Sequence, residues 1–330
     1  MRVGGGRGKI PFVRELIRLQ LFMGRFAMLF PLAVVAIAAA CDSADDEFNL
    51  AQFESDNLAW RTARLERLRG PDGYLNLAGL FWLNDGTTSI GSAPGNDIVF
   101  PASTAANIGE LNVSGAGVVL RVFDGVDVYS DGEPVTTILV ADDTTAAPVT
   151  ISHGSIAWTI IRRDERFALR LRDFEHPAIA AFPPIDYYPI NPDLRVRARL
   201  QLYATPKVLN VDTVIEGLGW RPESPGIVKF EIDGQSLQLE AYDSGDQLFF
   251  VFGDRTSGTE TYPAGRFLYS DRPANGDQTI LDFNRAYNPP CAFNDFATCP
   301  VAAPQNRLSV RIEAGEKFDP LVHSTPNSSH

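Results

Sequence analysis

Hydrophobic and polar positions alternate with a helical period only once in this chain, between residues 48 and 70. There Phe48, Phe53, Leu58, Leu65 and Leu68 fall on one side, and Arg61, Arg64, Glu66, Arg67 and Arg69 lie elsewhere. Gly70-Pro71-Asp72-Gly73 ends the pattern, because Gly and Pro both break a helix. Beyond that stop the period shortens to two. Short apolar or alternating runs recur at 74–83, 97–100, 118–123, 156–162, 167–171, 196–203, 227–232, 236–242 and 247–252, separated by Gly, Asp, Asn and Pro. Short strands punctuated by turns predict a mainly β protein of sandwich or barrel type.

Five prolines (Pro177, Pro183, Pro184, Pro189 and Pro192) stiffen residues 177–192 and keep them out of a central sheet. The predicted architecture is therefore an N-terminal helix (48–70), a first β domain (71–176), a Pro-rich connector (177–192), a second β domain (193–318) and a polar tail (319–330). The first β domain should be sandwich-like, the second a sandwich or partial barrel.

Upstream of the helix the pattern is that of an address. Residues 1–40 hold six basic residues and one acid, Glu15, and the apolar run 26–40 ends at Cys41. Fifteen apolar residues are short for a bilayer span but suit the core of a secretory signal. Ala38-Ala39-Ala40 before Cys41 resembles the lipobox of bacterial lipoproteins. That resemblance implies cleavage before Cys41 and lipidation of its thiol, with residues 41–47 as an acidic tether. Met23-Gly24-Arg25 reads as a conventional start for such a signal. The expected location is the bacterial cell envelope, lipid-anchored and facing the periplasm or exterior, with inner and outer membrane both open.

Composition narrows the function classes. The 330 residues are 45% hydrophobic and 21% charged, which fits a folded body, and the net charge is −12. Removing the leader takes away a net +5, leaving about −17. A chain so acidic lacks the concentrated Lys and Arg that nucleic acid requires. There is no Gly-x-Ser-x-Gly elbow, no His-Glu-x-x-His helix and no phosphate loop. No cofactor and no metal are expected; His153 and His176, the only histidines of the folded body, read as structural or solvent-facing.

Several ordered blocks are similar to one known family. They are the run Tyr74-Leu75-Asn76-Leu77-Ala78-Gly79-Leu80-Phe81-Trp82-Leu83, then Tyr188-Pro189-Ile190-Asn191-Pro192 and Gly265-Arg266-Phe267-Leu268-Tyr269. The most distinctive is Asp282-Phe283-Asn284-Arg285-Ala286-Tyr287-Asn288-Pro289-Pro290-Cys291, followed by Asn306-Arg307-Leu308 and Glu313-Ala314-Gly315-Glu316-Lys317. Together they resemble the domain-of-unknown-function family 1684 (DUF1684) across roughly residues 50–318, a resemblance that implies no particular activity. More weakly, Ile90-Gly91-Ser92 with Asn96-Asp97-Ile98-Val99-Phe100 resembles the forkhead-associated sandwich. Ser92 stands where that module has its phosphate-binding arginine, so phosphopeptide binding is not implied.

The 282–299 loop is the candidate site. Pro289-Pro290 stiffens it, and Asn284, Arg285, Tyr287 and Asn288 set polar groups into an aromatic stretch, where Arg285 could clamp an anion and Tyr287 and Asn288 orient it. Equally, these groups could satisfy the loop's own backbone, with Arg285 paired to Asp282 or Glu313. With Cys41 given to lipid, Cys291 and Cys299 form an even pair for an oxidising compartment; a disulfide, buried thiols and a redox or metal site are the readings. The function expected is binding of a small molecule or protein partner at this loop. The alternatives are a hydrolase working through a carboxylate or Tyr287, and a passive structural lipoprotein.

Overall fold

A computed structural model describes residues 48–319; Cys41, the signal and the tether lie outside the described residues. Helix α1 spans Leu50–Arg69, started by Asn49, whose side chain accepts from the Gln52 amide, and stopped at Gly70. The face it buries differs from the one the apolar positions predict. Phe53, Asn57, Arg64 and Leu68 are buried, whereas Phe48 and Leu58 are about half exposed. A polar pair inside an apolar stripe means that the helix docks on a polar partner as well as on a core.

The strands of the first β unit are β1 Leu77–Trp82, β2 Gly86–Gly91, β3 Ile98–Val99, β4 Gly109–Ser114, β5 Gly117–Val122, β6 Tyr129–Ser130, β7 Glu133–Pro134, β8 Thr137–Val140, β9 Thr150–His153, β10 Ile156–Arg163 and β11 Arg166–Asp173. They form a six-stranded sheet in the order β1-β11-β10-β9-β6-β7 and a five-stranded sheet in the order β3-β2-β4-β5-β8. Ile90, Leu111, Val118 and Leu120 from one sheet share a core with Ile151, Trp158, Ile160, Leu169 and Leu171 from the other. Two sheets closing on one apolar layer make a sandwich.

Residues 177–192 are less extended than their prolines suggest. A short helix, α2 (Pro177–Ala181), begins on proline, with the His176 ring accepting from the Ala178 amide. Proline at a first helical position loses no hydrogen bond and fixes the right φ.

The second unit has β12 Arg195–Val208, the small pair β13 Val211–Asp212 and β14 Gly219–Trp220, then β15 Glu223–Ile232, β16 Gln235–Ser244, β17 Gln247–Phe252, β18 Arg266–Asp271 and β19 Gln278–Asp282. Its main sheet runs β18-β17-β16-β15-β12-β19, and its two edges approach, with Thr279 Oγ1 donating to the Asp271 carbonyl. The sheet is thus a nearly closed barrel, of the two forms the sequence left open. Its interior is apolar, built from residues such as Val228, Leu239, Phe250, Phe252, Leu268 and Phe283. Outside the barrel wall, Tyr242, Val251 and Phe267 pack with Leu77, Ala297 and Cys299, so β1 and the 282–299 loop share one apolar layer.

Candidate functional site

Helix α1 lies along residues 282–288, the start of the loop. Asn57 reaches Asp282 at 3.5 Å, Trp60 packs on Tyr287 with ring centres 6.3 Å apart, and the Arg64 guanidinium sits 4.5 Å from the Tyr287 ring centre. Below the helix is a buried polar centre. Glu316 is fully buried and accepts from Arg64 Nε at 2.9 Å, from the Asn288 amide at 2.7 Å and from the Tyr187 hydroxyl at 3.3 Å. Arg64 also donates to the Asn288 carbonyl at 2.9 Å. A buried ion pair whose carboxylate accepts three hydrogen bonds from separate segments holds a single geometry.

The four loop residues divide into two pairs. Asn284 is fully buried; its side chain accepts from the Asn191 amide at 2.7 Å and donates to the Asn191 carbonyl at 2.8 Å. Asn288 is also fully buried and donates to the Lys317 carbonyl at 2.8 Å. Both clamp backbone segments from distant parts of the chain. Arg285 stands 3.5 Å from Asp282 with its side chain 40% exposed. Tyr287 lies beside Tyr269, ring planes 12° apart and centres 6.4 Å apart, and Tyr269 is 41% exposed. The rim of the loop therefore offers Arg285 and, from β18, the exposed Tyr269 backed by the more covered Tyr287, while the two asparagines hold the loop in place.

Burial, then the neighbouring Tyr269, raises the Tyr287 pKa well above its ordinary value. Burial likewise raises Tyr187, helped by Glu316. Both hydroxyls keep their protons at neutral pH, and that of Tyr187 donates to Glu316. Cys291 and Cys299 lie at disulfide distance with Cα atoms 6.2 Å apart, closing the far end of the loop. His153 bridges the Ala105 amide and the Asp127 carbonyl.

Sequence reasoning missed Arg64, Tyr187 and Tyr269 as members of this centre. A signal for Arg64 existed: Phe53, Asn57, Arg64 and Leu68 are spaced 4, 7 and 4 residues apart, a helical stripe of its own.

Comparison with known proteins follows this geometry. Residues 180–317 match the family model of the protein of unknown function DUF1684. The match supports membership of that family. The DUF1684 segment takes in the barrel, the loop and the Glu316 carboxylate, and α1 supplies Arg64 to it from outside the matched residues. An uncharacterised protein from gene locus rrnAC0354 of Haloarcula marismortui, solved by solution NMR, is 31% identical, covering 42% of this chain and 79% of that one with a TM-score of 0.36. The FhaA forkhead-associated domain, solved with the intracellular domain of Rv3910, is 15% identical over 28% of this chain and 97% of that one, with a TM-score of 0.21. No curated protein matches the chain.

Proposed function

We propose that this DUF1684 protein is a lipid-anchored envelope protein that binds a small molecule through the Tyr269–Tyr287 pair and Arg285, at the rim of the 282–299 loop. The observation that carries the reading is the contrast within the loop. Asn284, Asn288 and the Arg64–Glu316 pair are spent on rigidity, and what they hold still is a partly exposed aromatic pair with a guanidinium two residues away along the chain. A pre-organised aromatic surface binds a planar or ring-bearing ligand without first ordering itself. The protonated Tyr287 hydroxyl suits donation to a ligand better than attack on one, which favours binding over the hydrolase alternative.

The anchor belongs to the same proposal: Cys41 bears the lipid that joins the chain to the membrane, and no nucleic acid is involved. Its test is mass spectrometry of the native protein, where a diacylglyceryl Cys41 as first residue is expected and an unmodified chain retaining residues 1–40 refutes it.

Binding is tested by a thermal-shift screen of detergent-purified full-length protein against metabolites, sugars and lipids. A ligand at 100 times its Kd adds about 2.7 kcal/mol of stability, well within reach of a melting curve. The expected result is a hit that Tyr269→Ser weakens and that is recovered unaltered. A hit indifferent to Tyr269→Ser and Arg285→Ala moves the site elsewhere, and a hit recovered as product makes the protein an enzyme. No hit at all favours the structural lipoprotein.

A further inference from the structure

The outer face of the β1–β11–β10 sheet carries more arginines than the described carboxylates pair with, Asp143 being shared with Arg163. Strand β11 turns Phe167, Leu169 and Leu171 into the sandwich core, so the period of two sends Arg166, Ala168, Arg170 and Arg172 outward. Register places Leu80 and Thr159 on either side of Arg170, and Trp82 and Ile161 on either side of Ala168. Ala168 is completely buried and Ile161 almost so, although both point away from the core. Beside them the Arg166 guanidinium stacks 4.3 Å from the Trp82 ring centre.

These arginines differ in what they hold. Arg163 is paired with Asp143 at 2.8 Å. Arg172 is engaged by neutral acceptors, Asn76 Oδ1 at 2.6 Å and the Gly73 carbonyl at 2.5 Å. Arg170, in the centre, makes no ion pair and no side-chain hydrogen bond among the described residues, and its Nε is buried without a partner. A buried Nε without an acceptor costs stability, and a bound oxyanion would offset that cost by supplying an acceptor and a counter-charge to the half-buried guanidinium.

We propose that the Arg170 side chain, flanked by Arg172, is the floor of a binding site for the phosphoryl group of a small molecule. The guanidinium fork matches phosphate oxygens in a bidentate way, and Arg172, with no carboxylate at ion-pair distance among the described residues, adds the second positive charge that a doubly charged oxyanion needs. Burial, followed by repulsion from Arg163, pulls the Arg170 pKa down to about 10, with Asp143 offsetting only part of the shift. The inference stands apart from the tyrosine surface of the loop and does not depend on it.

The test titrates inorganic phosphate into detergent-purified full-length protein and follows the arginine Nε–H resonances by NMR, with chloride at equal ionic strength as control. A saturable shift of the Arg170 signal with phosphate alone is expected; no shift, or the same shift with chloride, overturns the proposal. Substitution adds a second arm. Arg170→Met should weaken phosphate binding at least tenfold and, in phosphate-free buffer, melt no lower than the wild type, because it removes an unpaired buried charge. Arg121→Met, at an exposed arginine of β5, should leave phosphate affinity within twofold. Wild-type affinity in Arg170→Met, or a melting point well below wild type without phosphate, would mark Arg170 as a packing residue and refute the site. Glycerol 3-phosphate and phosphatidylglycerol vesicles then identify the source: a response to the first supports a soluble ligand, and a response to vesicles alone supports a lipid headgroup bearing the same phosphoryl group.

Discussion

Replacing Glu316 by Gln should be among the costliest single-atom-scale changes in this protein. The substitution keeps shape and one acceptor but removes the charge opposite Arg64, whose side chain is 8% exposed and whose remaining partner is the Asn288 carbonyl. An ion deprived of its counterion in such a place costs about 3–5 kcal/mol, a large part of the roughly 5–15 kcal/mol that holds a typical protein folded. For a body of this size that is a fall in Tm of roughly 6–20 °C. Urea unfolding followed by tryptophan fluorescence reads it directly, since Trp60 lies one helical turn from Arg64 and packs on Tyr287. Arg64→Met should cost a similar amount, and the double variant should recover at least half of the summed loss, because neither charge is then stranded. The exposed pair Arg199–Asp277 is the internal control: Asp277→Asn should cost less than about 1 kcal/mol. A Glu316→Gln loss no larger than that of the control would refute the claim that the pair is the keystone under the loop.

Other outcomes follow from the same structure. Burial raises the pKa of Tyr187, Tyr188, Tyr203, Tyr242, Tyr262 and Tyr287, with Tyr203 and Tyr242 at about 12. A group raised in the folded state contributes stability that is complete below its unfolded pKa of about 10 and is lost as pH climbs from there. Absorbance at 295 nm should therefore show these six of the nine tyrosines ionising late, together with alkaline unfolding. Replacing both Cys291 and Cys299 by Ala should cost about 2–3 kcal/mol through the freed loop, measured in denaturant; an unchanged midpoint would mean that the pair is not bonded in solution. Gly315 has φ of +79°, and a Cβ there would meet the Ala286 carbonyl oxygen, so Gly315→Ala should destabilise by at least about 1–2 kcal/mol and loosen the Glu316 centre with it.

What could be read in advance follows from which forces are local. Helix α1 announced itself through its period and its Gly-Pro stop, and its ends lie within two residues of prediction. Its buried face did not, because Leu58 looked like core and Arg64 like surface until Glu316, 252 residues away, was beside it. Alternation found the long strands such as β10, β12 and β17, but missed β2 and β18, whose glycines, serines and mixed burial blur the period. Sandwich and barrel share the same two-residue alternation; the near-closure of the second sheet shows only in the pairing of β12 with β19, which brings β19 beside β18. In the loop, residue type suggested polar groups for a ligand; tertiary partners at positions 191 and 317 decide that Asn284 and Asn288 have other work.

The fastening of α1 to the far end of the sequence bears on how the molecule is made. Arg64 meets Glu316 and Asn57 meets Asp282, so the helix synthesised first finds its seat only when nearly the whole chain is available. The sandwich, closed by contacts within its own stretch of sequence, is able to form while the remainder is still emerging. Leu68 likewise gains Ala292 and Phe293, its late partners, only after the barrel strands have been made. During that interval the apolar and charged faces of α1 have yet to meet the partners that cover them in the finished fold.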